Sequence, residues 1–291
     1  NPQAIGRIMS DKNKRDKFVS SLLATCRRYH FEGINIDLEE LNINDNALLT
    51  NFVAELYHTF HANNMYVTQD VMPFNDDYDM QQLARYNDYL FLMAYDEHNT
   101  TSAPGDVASQ HWMEKATDWA AKNIPNDKLV LGLAGYGYDW AAGADCNTVS
   151  YDQAIANAYG ADATILFDDD TYNLHYSYTD DDNVKHQVYF TDAATIFNNM
   201  RFDTTYHLAG FAMWRLGTED SRVWNFYGKD LAWEQVKRWN LNNIFALSGY
   251  NDVNYVGSGE VLSVESEPHP GHVSLSIDTD DQLIAEENYI T

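Results

Sequence analysis

The chain has 291 residues, with 44 acidic against 18 basic side chains and a formal net charge of −26. That length can bury a sizeable core, and 45% apolar with 14% aromatic residues excludes global disorder. Such a charge repels nucleic-acid backbones and anionic membranes, so the expected ligand is neutral or cationic.

Cys26 and Cys146 are the only cysteines. They exclude a disulfide scaffold and a cysteine-rich zinc site, and leave the redox compartment open. No stretch approaches the roughly 18 apolar residues of a membrane span. The polar, charged opening at 1–15 is not the pattern of a signal peptide.

Phe18, Val19, Leu22, Leu23, Cys26 and Tyr29 recur at helical spacing and predict a helix after a cap at Ser10 or Asp11. Cys26 falls on that stripe and reads as a core residue. A strand is expected over 31–38, then a second amphipathic helix through Leu48, Leu49, Phe52, Val53, Leu56, Tyr57 and Phe60. Strand 65–72 closes at Pro73, a short helix at 80–86 leads into strand 89–95, a helix runs over about 108–123, and strand 128–134 follows. Near-continuous apolar strands alternating with helices predict a parallel sheet covered by helices.

After Tyr136-Gly137-Tyr138 the rhythm breaks. Residues 141–204 hold a short helix at 151–159 and two strand-like runs, 172–178 and 185–190, joined by a turn at 179–183. This predicts an α+β insertion. The parallel pattern resumes at 208–214, and helix-like runs near Val223 and over 233–239 finish the layer. From about 241 short β-like runs, 260–264 and 272–277, form a separate small β element or a linker. The fold class expected is therefore an α/β barrel of (β/α)₈ type: a partial barrel over 1–140 and 205–240, the insertion, and a β-rich tail over 241–291. Five parallel units are legible where a closed barrel needs eight. The first three are expected before Asn1, which makes the chain a fragment of a longer polypeptide.

The chemistry concentrates in Phe31-Glu-Gly-Ile-Asn-Ile-Asp-Leu-Glu-Glu40. Alternation along a strand puts Asn35, Asp37 and Glu39 on one face and Ile34, Ile36 and Leu38 on the other. Adjacent members of the polar row sit about 7 Å apart. If both faces are buried, desolvation and mutual repulsion raise at least one carboxyl pKa, as a general acid at neutral pH requires.

Glu32-Gly33-Ile34-Asn35-Ile36-Asp37-Leu38-Glu39 resembles the D-G-x-D-x-D-x-E signature of glycoside hydrolase family 18, the chitinase family. Met93-Ala94-Tyr95-Asp96 is similar to that family's M-x-Y-D motif. Tyr136-Gly137-Tyr138 and Trp214 follow in the family's order, and the resemblance covers about 10–240. It implies a retaining glycosidase acting on β-linked N-acetylglucosamine, in which the substrate's own acetamido oxygen attacks, an exception to the two-carboxylate scheme. Glu39 then resembles the general acid, and Asp37 the carboxylate that orients the acetamido group and stabilises the oxazolinium. Tyr95 resembles the hydroxyl donor to the acetamido oxygen, Asp96 a partner of the same sugar, and Trp214 the floor on which it stacks. Met93, Tyr136 and Tyr138 join the substrate-binding candidates. No metal or cofactor is implied.

Two positions depart from the signature. Glu32 replaces its first Asp, and Asn35 its second, which in the family shares a proton with the counterpart of Asp37. An amide cannot share one, but Asn35 still donates and accepts hydrogen bonds. Weaker signals are read plainly. His58 and His61 are surface histidines rather than metal ligands. Asp168 to Asp170 and Asp180 to Asp182 lack a calcium-loop spacing and read as solvated turns. Tyr172, Tyr176 and Tyr178 either pack within a hairpin or line a sugar cleft; Tyr138 and Trp140 either stack on sugar or pack against the insertion. Glu97 and His98 are candidates for substrate contact. The tail at 257–289 resembles the segment following the hydrolase domain in bacterial proteins that fuse it to a polysaccharide deacetylase and a glycosyltransferase. That implies action outside the cytoplasm on N-acetylglucosamine polymers. The rival readings are a chitinase-like lectin without turnover and a scaffolding domain of a polymer synthesis machine.

Overall fold

Asp11 separates the first two helices. Pro2–Met9 is α1, and the Asp11 carboxylate accepts the backbone N–H groups of Asn13 at 3.0 Å and Lys14 at 3.2 Å to start α2, Lys12–Tyr29. The computed structural model describes residues 2–39, 46–168 and 170–229, and in the tail the strands at 255–256, 261–264, 272–277 and 283–288. In chain order β1 (Gly33–Ile36), α3 (Asn46–His61), β2 (Tyr66–Val71), α4 (Met80–Leu83), β3 (Tyr89–Leu92), α5 (Gln110–Ala121) and β4 (Leu129–Ala134) follow. Then come β5 (Gly137–Ala141), β6 (Cys146–Val149), α6 (Tyr151–Gly160), β7 (Ile165–Phe167), β8 (Leu174–Thr179) and β9 (Lys185–Phe190). The rest is α7 (Ala193–Met200), α8 (Asp203–Tyr206), β10 (Gly210–Trp214) and the tail strands β11 (Tyr255–Val256), β12 (Val261–Val264), β13 (His272–Ile277) and β14 (Leu283–Asn288).

The chain packs as two compact units. The first takes the described residues up to 93, with 116–132 and 208–212; the second takes 94–115, 133–207 and the described residues from 213 on.

The first unit carries a sheet in the order β1-β2-β3-β4-β10, with β1 through β4 parallel. Gly33 is required at the start of β1: a Cβ there would lie 2.3 Å from the Tyr66 carbonyl oxygen. Val67, Gln69 and Val71 are buried on one face of β2, so Thr68 and Asp70 take the other. Helix α3 buries Leu49, Phe52, Val53, Leu56 and Phe60, the i, i+3, i+4, i+7 stripe expected from the sequence. Each such side chain contributes roughly 2 kcal/mol. Cys26 is buried on α2 as expected, whereas Tyr29 is exposed and stacks on Phe31 at 5.9 Å. An apolar hollow of about 180 Å³ is lined by Ile8, Phe18, Leu22, Ile34, Ile36 and Phe52, and Asn35 and Asp37 also reach it.

The second unit carries a sheet in the order β11-β7-β8-β9-β5-β6. Its core joins Tyr151, Ile155 and Ala158 of α6 to Ile165, Leu174, Tyr176, Val188 and Phe190. Strands β5 and β6 lie where the sequence suggested none, because a glycine-centred Tyr-Gly-Tyr reads as an end. Gly137 instead lets two strands close up: a Cβ would lie 2.5 Å from the Tyr189 carbonyl oxygen. The β8–β9 turn is held by Asp180, which accepts the N–H groups of Asp182 at 3.0 Å and Val184 at 2.8 Å. Strands β12, β13 and β14 form a three-stranded antiparallel sheet. The helix read over 233–239 lies outside the described residues.

Candidate active site

Strand β1 delivers Asn35, and the chain leaving its carboxyl end carries Asp37 and Glu39. Ile36 between them is buried, as alternation requires, but Asn35, Asp37 and Glu39 are exposed. The expectation of a buried polar row is therefore corrected. The reason is position: β1 ends the strand order, and among the described residues no strand covers its far side.

Asn35 is clamped from β2. Its Oδ1 accepts the Thr68 hydroxyl at 2.7 Å, and its Nδ2 donates to Asp70 Oδ2 at 2.7 Å. The carboxyl that burial raises is Asp70, to about 6; the Asn35 hydrogen bond pulls it down, and the charge of Asp37 pushes it up. Tyr78 is buried and its hydroxyl donates to the Leu38 carbonyl at 3.1 Å, which fixes the backbone between Asp37 and Glu39. Burial first, and then the charges of Glu39 and Asp37, hold that hydroxyl well above its usual range. Sequence reading missed both Asp70 and Tyr78. Asp70 had a usable signal, since the alternation of Val67, Gln69 and Val71 already put it on the opposite face with Thr68. Tyr78 had none, lying 40 residues from its partner in a loop. Met93 continues the β2–β3 ladder, its N–H donating to the Val71 carbonyl at 2.9 Å.

In the second unit the chain from β3 carries Tyr95 and Asp96. Asp96 has φ 63°, the left-handed region that a β-unbranched acid tolerates at a cost. Its Oδ1 accepts the hydroxyls of Tyr136 at 2.5 Å and Tyr138 at 2.8 Å. Burial, together with the Asp96 charge, pushes both tyrosine hydroxyls well above their usual range, so both stay protonated donors. Tyr95 meets Tyr136 edge-on at 6.3 Å, and Tyr136 meets Tyr138 edge-on at 5.5 Å. Trp214 leaves 54% of its surface exposed. Its carbonyl accepts the Gly135 N–H at 2.7 Å, tying the end of β10 to the segment before Tyr136. The Trp214–Arg215 peptide is cis. Asn35, Asp37, Glu39 and Met93 thus belong to the first unit, and Tyr95, Asp96, Tyr136, Tyr138 and Trp214 to the second.

The weaker candidates resolve into local structure. Trp140 is buried 5.4 Å from Tyr138. Tyr176 donates to the Ala154 carbonyl at 2.7 Å and Tyr178 to Asp139 at 2.9 Å, within the core and hairpin. Glu97 accepts the Ser109 N–H at 2.9 Å, and His98 Nδ1 lies 3.0 Å from the Asp106 carbonyl, so both are engaged within their own loop. His61 pairs with Asp88 at 3.0 Å and stacks on Tyr57. Among the described residues no group of three or more His, Cys, Asp or Glu is placed to hold a metal ion.

A family model described as Glycosyl hydrolases family 18 matches residues 1–219. The chain belongs to this family. Among family relatives it is similar to an uncharacterized glycosylase of Bacillus subtilis, YvbX, at 27% identity over 75% of this chain and 67% of that one. It is also similar to the cortical fragment-lytic enzyme of Bacillus subtilis, at 26% identity over 76% of this chain and 54% of that one. The chain therefore spans between half and two thirds of these relatives' length. Among solved structures, a chitinase from Chromobacterium violaceum superposes with a TM-score of 0.70 at 28% identity, covering 74% of this chain and 70% of that one. The family fold is of the TIM-barrel α/β type, and this chain carries a parallel β1–β4 sheet.

Proposed function

We propose that the chain is a retaining glycosidase that cleaves β-linked N-acetylglucosamine polymers by substrate-assisted catalysis. The observation that carries this reading is the carboxyl end of β1, where a clamped amide, Asp37 and Glu39 follow one another on an exposed edge, their backbone fixed by Tyr78. Glu39 gives its proton to the leaving glycosidic oxygen. Asp37 accepts the acetamido N–H and faces the positive oxazolinium that forms as the acetamido oxygen attacks the anomeric carbon. Water then opens that ring, returning the proton to Glu39. Tyr95, Asp96 and Trp214 are assigned to sugar binding, with Met93, Tyr136 and Tyr138 in support. Family membership and likeness to a chitinase support the substrate class.

The test is hydrolysis of a chromogenic chito-oligosaccharide. Glu39→Gln is expected to lower kcat by about 10²–10⁴-fold with KM little changed. A native chain that turns over no N-acetylglucosamine oligomer overturns the reading. The second reading, a carbohydrate-binding module, draws on the exposed face of Trp214 and on Asn35 in place of an acid. Calorimetry showing oligosaccharide binding without product release favours it. The resemblance of the tail further supports action outside the cytoplasm, alongside a deacetylase and a glycosyltransferase on the same polypeptide.

A further inference from the structure

Asp70 is a carboxyl for which the proposed chemistry has no task. Parallel pairing sets Asn35 opposite Thr68 and Ile36 opposite Gln69, so continuing the register brings Asp37 level with Asp70. Because Val67, Gln69 and Val71 are buried on the other face, Thr68 and Asp70 share a face with Asn35 and Asp37. The Asn35 amide bridges Thr68 and Asp70. Thr68 donates to its oxygen at 2.7 Å, and its nitrogen donates to Asp70 at 2.7 Å.

We propose that Asp70 is a positioning carboxylate that sets a second negative charge beside Asp37, with Asn35 as the fixed amide that aims it. The consequence for catalysis rests on the glycosidase reading above; the geometry does not. From β1 and the chain after it, Asp37 and Glu39 are the charged groups on this side. From β3 the register sets Tyr89 opposite Thr68 and Phe91 opposite Asp70, neither charged at neutral pH. Burial holds the Asp70 carboxyl at about 6. Below that pH Asp70 is protonated; above it, Asp70 adds a negative charge on the face that meets a developing cation. Turnover therefore rises with pH through about 6, on the order of tenfold for one added charge at this range. The Asp37 charge acts on Asp70, so the Asp37 carboxyl is a reporter of the ionisation of Asp70.

The experiment measures kcat on a chromogenic chito-oligosaccharide from pH 4.5 to 8 for the native chain, D70N, D70E and N35A. In parallel, the carbon-13 carboxyl shift of Asp37 is followed through the same range in the native chain and D70N. The native profile is expected to inflect near 6. D70N is expected to lose that inflection and to sit at the native low-pH rate throughout, while D70E restores an inflection. N35A removes a hydrogen bond to the ionised carboxylate, so its inflection moves to higher pH. The Asp37 shift inflects with Asp70 in the native chain and not in D70N. A D70N profile that keeps the inflection overturns the proposal, as does a rate loss equal at every pH or an Asp37 shift indifferent to D70N. If no oligosaccharide is turned over but the Asp37 shift still loses its inflection in D70N, the charge pair stands and the glycosidase reading falls.

Discussion

Asp96 sits in the left-handed region with φ 63°, a conformation that costs a non-glycine residue about 1–3 kcal/mol. Two tyrosine hydroxyls on one of its oxygens offset that cost and leave its other oxygen to be used elsewhere. The first unit shows a similar division of labour. The Tyr78 hydroxyl bonds the Leu38 carbonyl and so sets the backbone from which Asp37 and Glu39 project. Tyr78→Phe removes that bond and keeps the ring's packing. It is expected to lower stability by about 1 kcal/mol and kcat by roughly tenfold, a loss too large for the stability change to explain because the folded fraction stays near unity. Urea unfolding and steady-state kinetics on the same preparation check both. Asp37, Glu39, Tyr95, Asp96 and Trp214 were legible as candidates because each sits in a short motif at a strand end. Asp70 bonds Asn35 from 35 positions away and Tyr78 bonds the Leu38 carbonyl from 40; alternation gives the face of Asp70, but no local pattern gives its partner.

Strands and helices were legible wherever a buried face imposed a period. The stripe of α3, the 185–190 strand and the β1-to-β4 succession all follow from side-chain alternation or helical spacing. Ends were read long: β1 pairs over Gly33–Ile36 and not to residue 38. Strand β5 escaped notice because its glycine serves close approach rather than a turn. Gly137→Ala places a methyl 2.5 Å from the Tyr189 carbonyl oxygen and 2.4 Å from the Phe190 Cβ, both on the neighbouring strand β9. Neither can yield without spreading β5 from β9. The substitution is expected to destabilise by about 1–3 kcal/mol, as overpacking does, and thermal unfolding of the variant measures it.

At the scale of the molecule the charge of −26 dominates. Acidic side chains outnumber basic ones 44 to 18, so the acidic surface repels itself at low ionic strength. Raising sodium chloride from 10 mM to 0.5 M is expected to raise Tm, by about 2–4 °C for each kcal/mol of repulsion screened; a Tm that falls or stays level in a differential scanning measurement refutes this. The composition, the alternating strands, the order of the motifs and the acid-bearing end of β1 were determined by the sequence itself, because periodicity and strand parity are properties of neighbouring residues. The exposure of that acid row, the clamp on Asn35 and the paired hydroxyls on Asp96 were decided only in three dimensions. Strand order and register set them, and these pair residues that the chain keeps 33 to 42 positions apart.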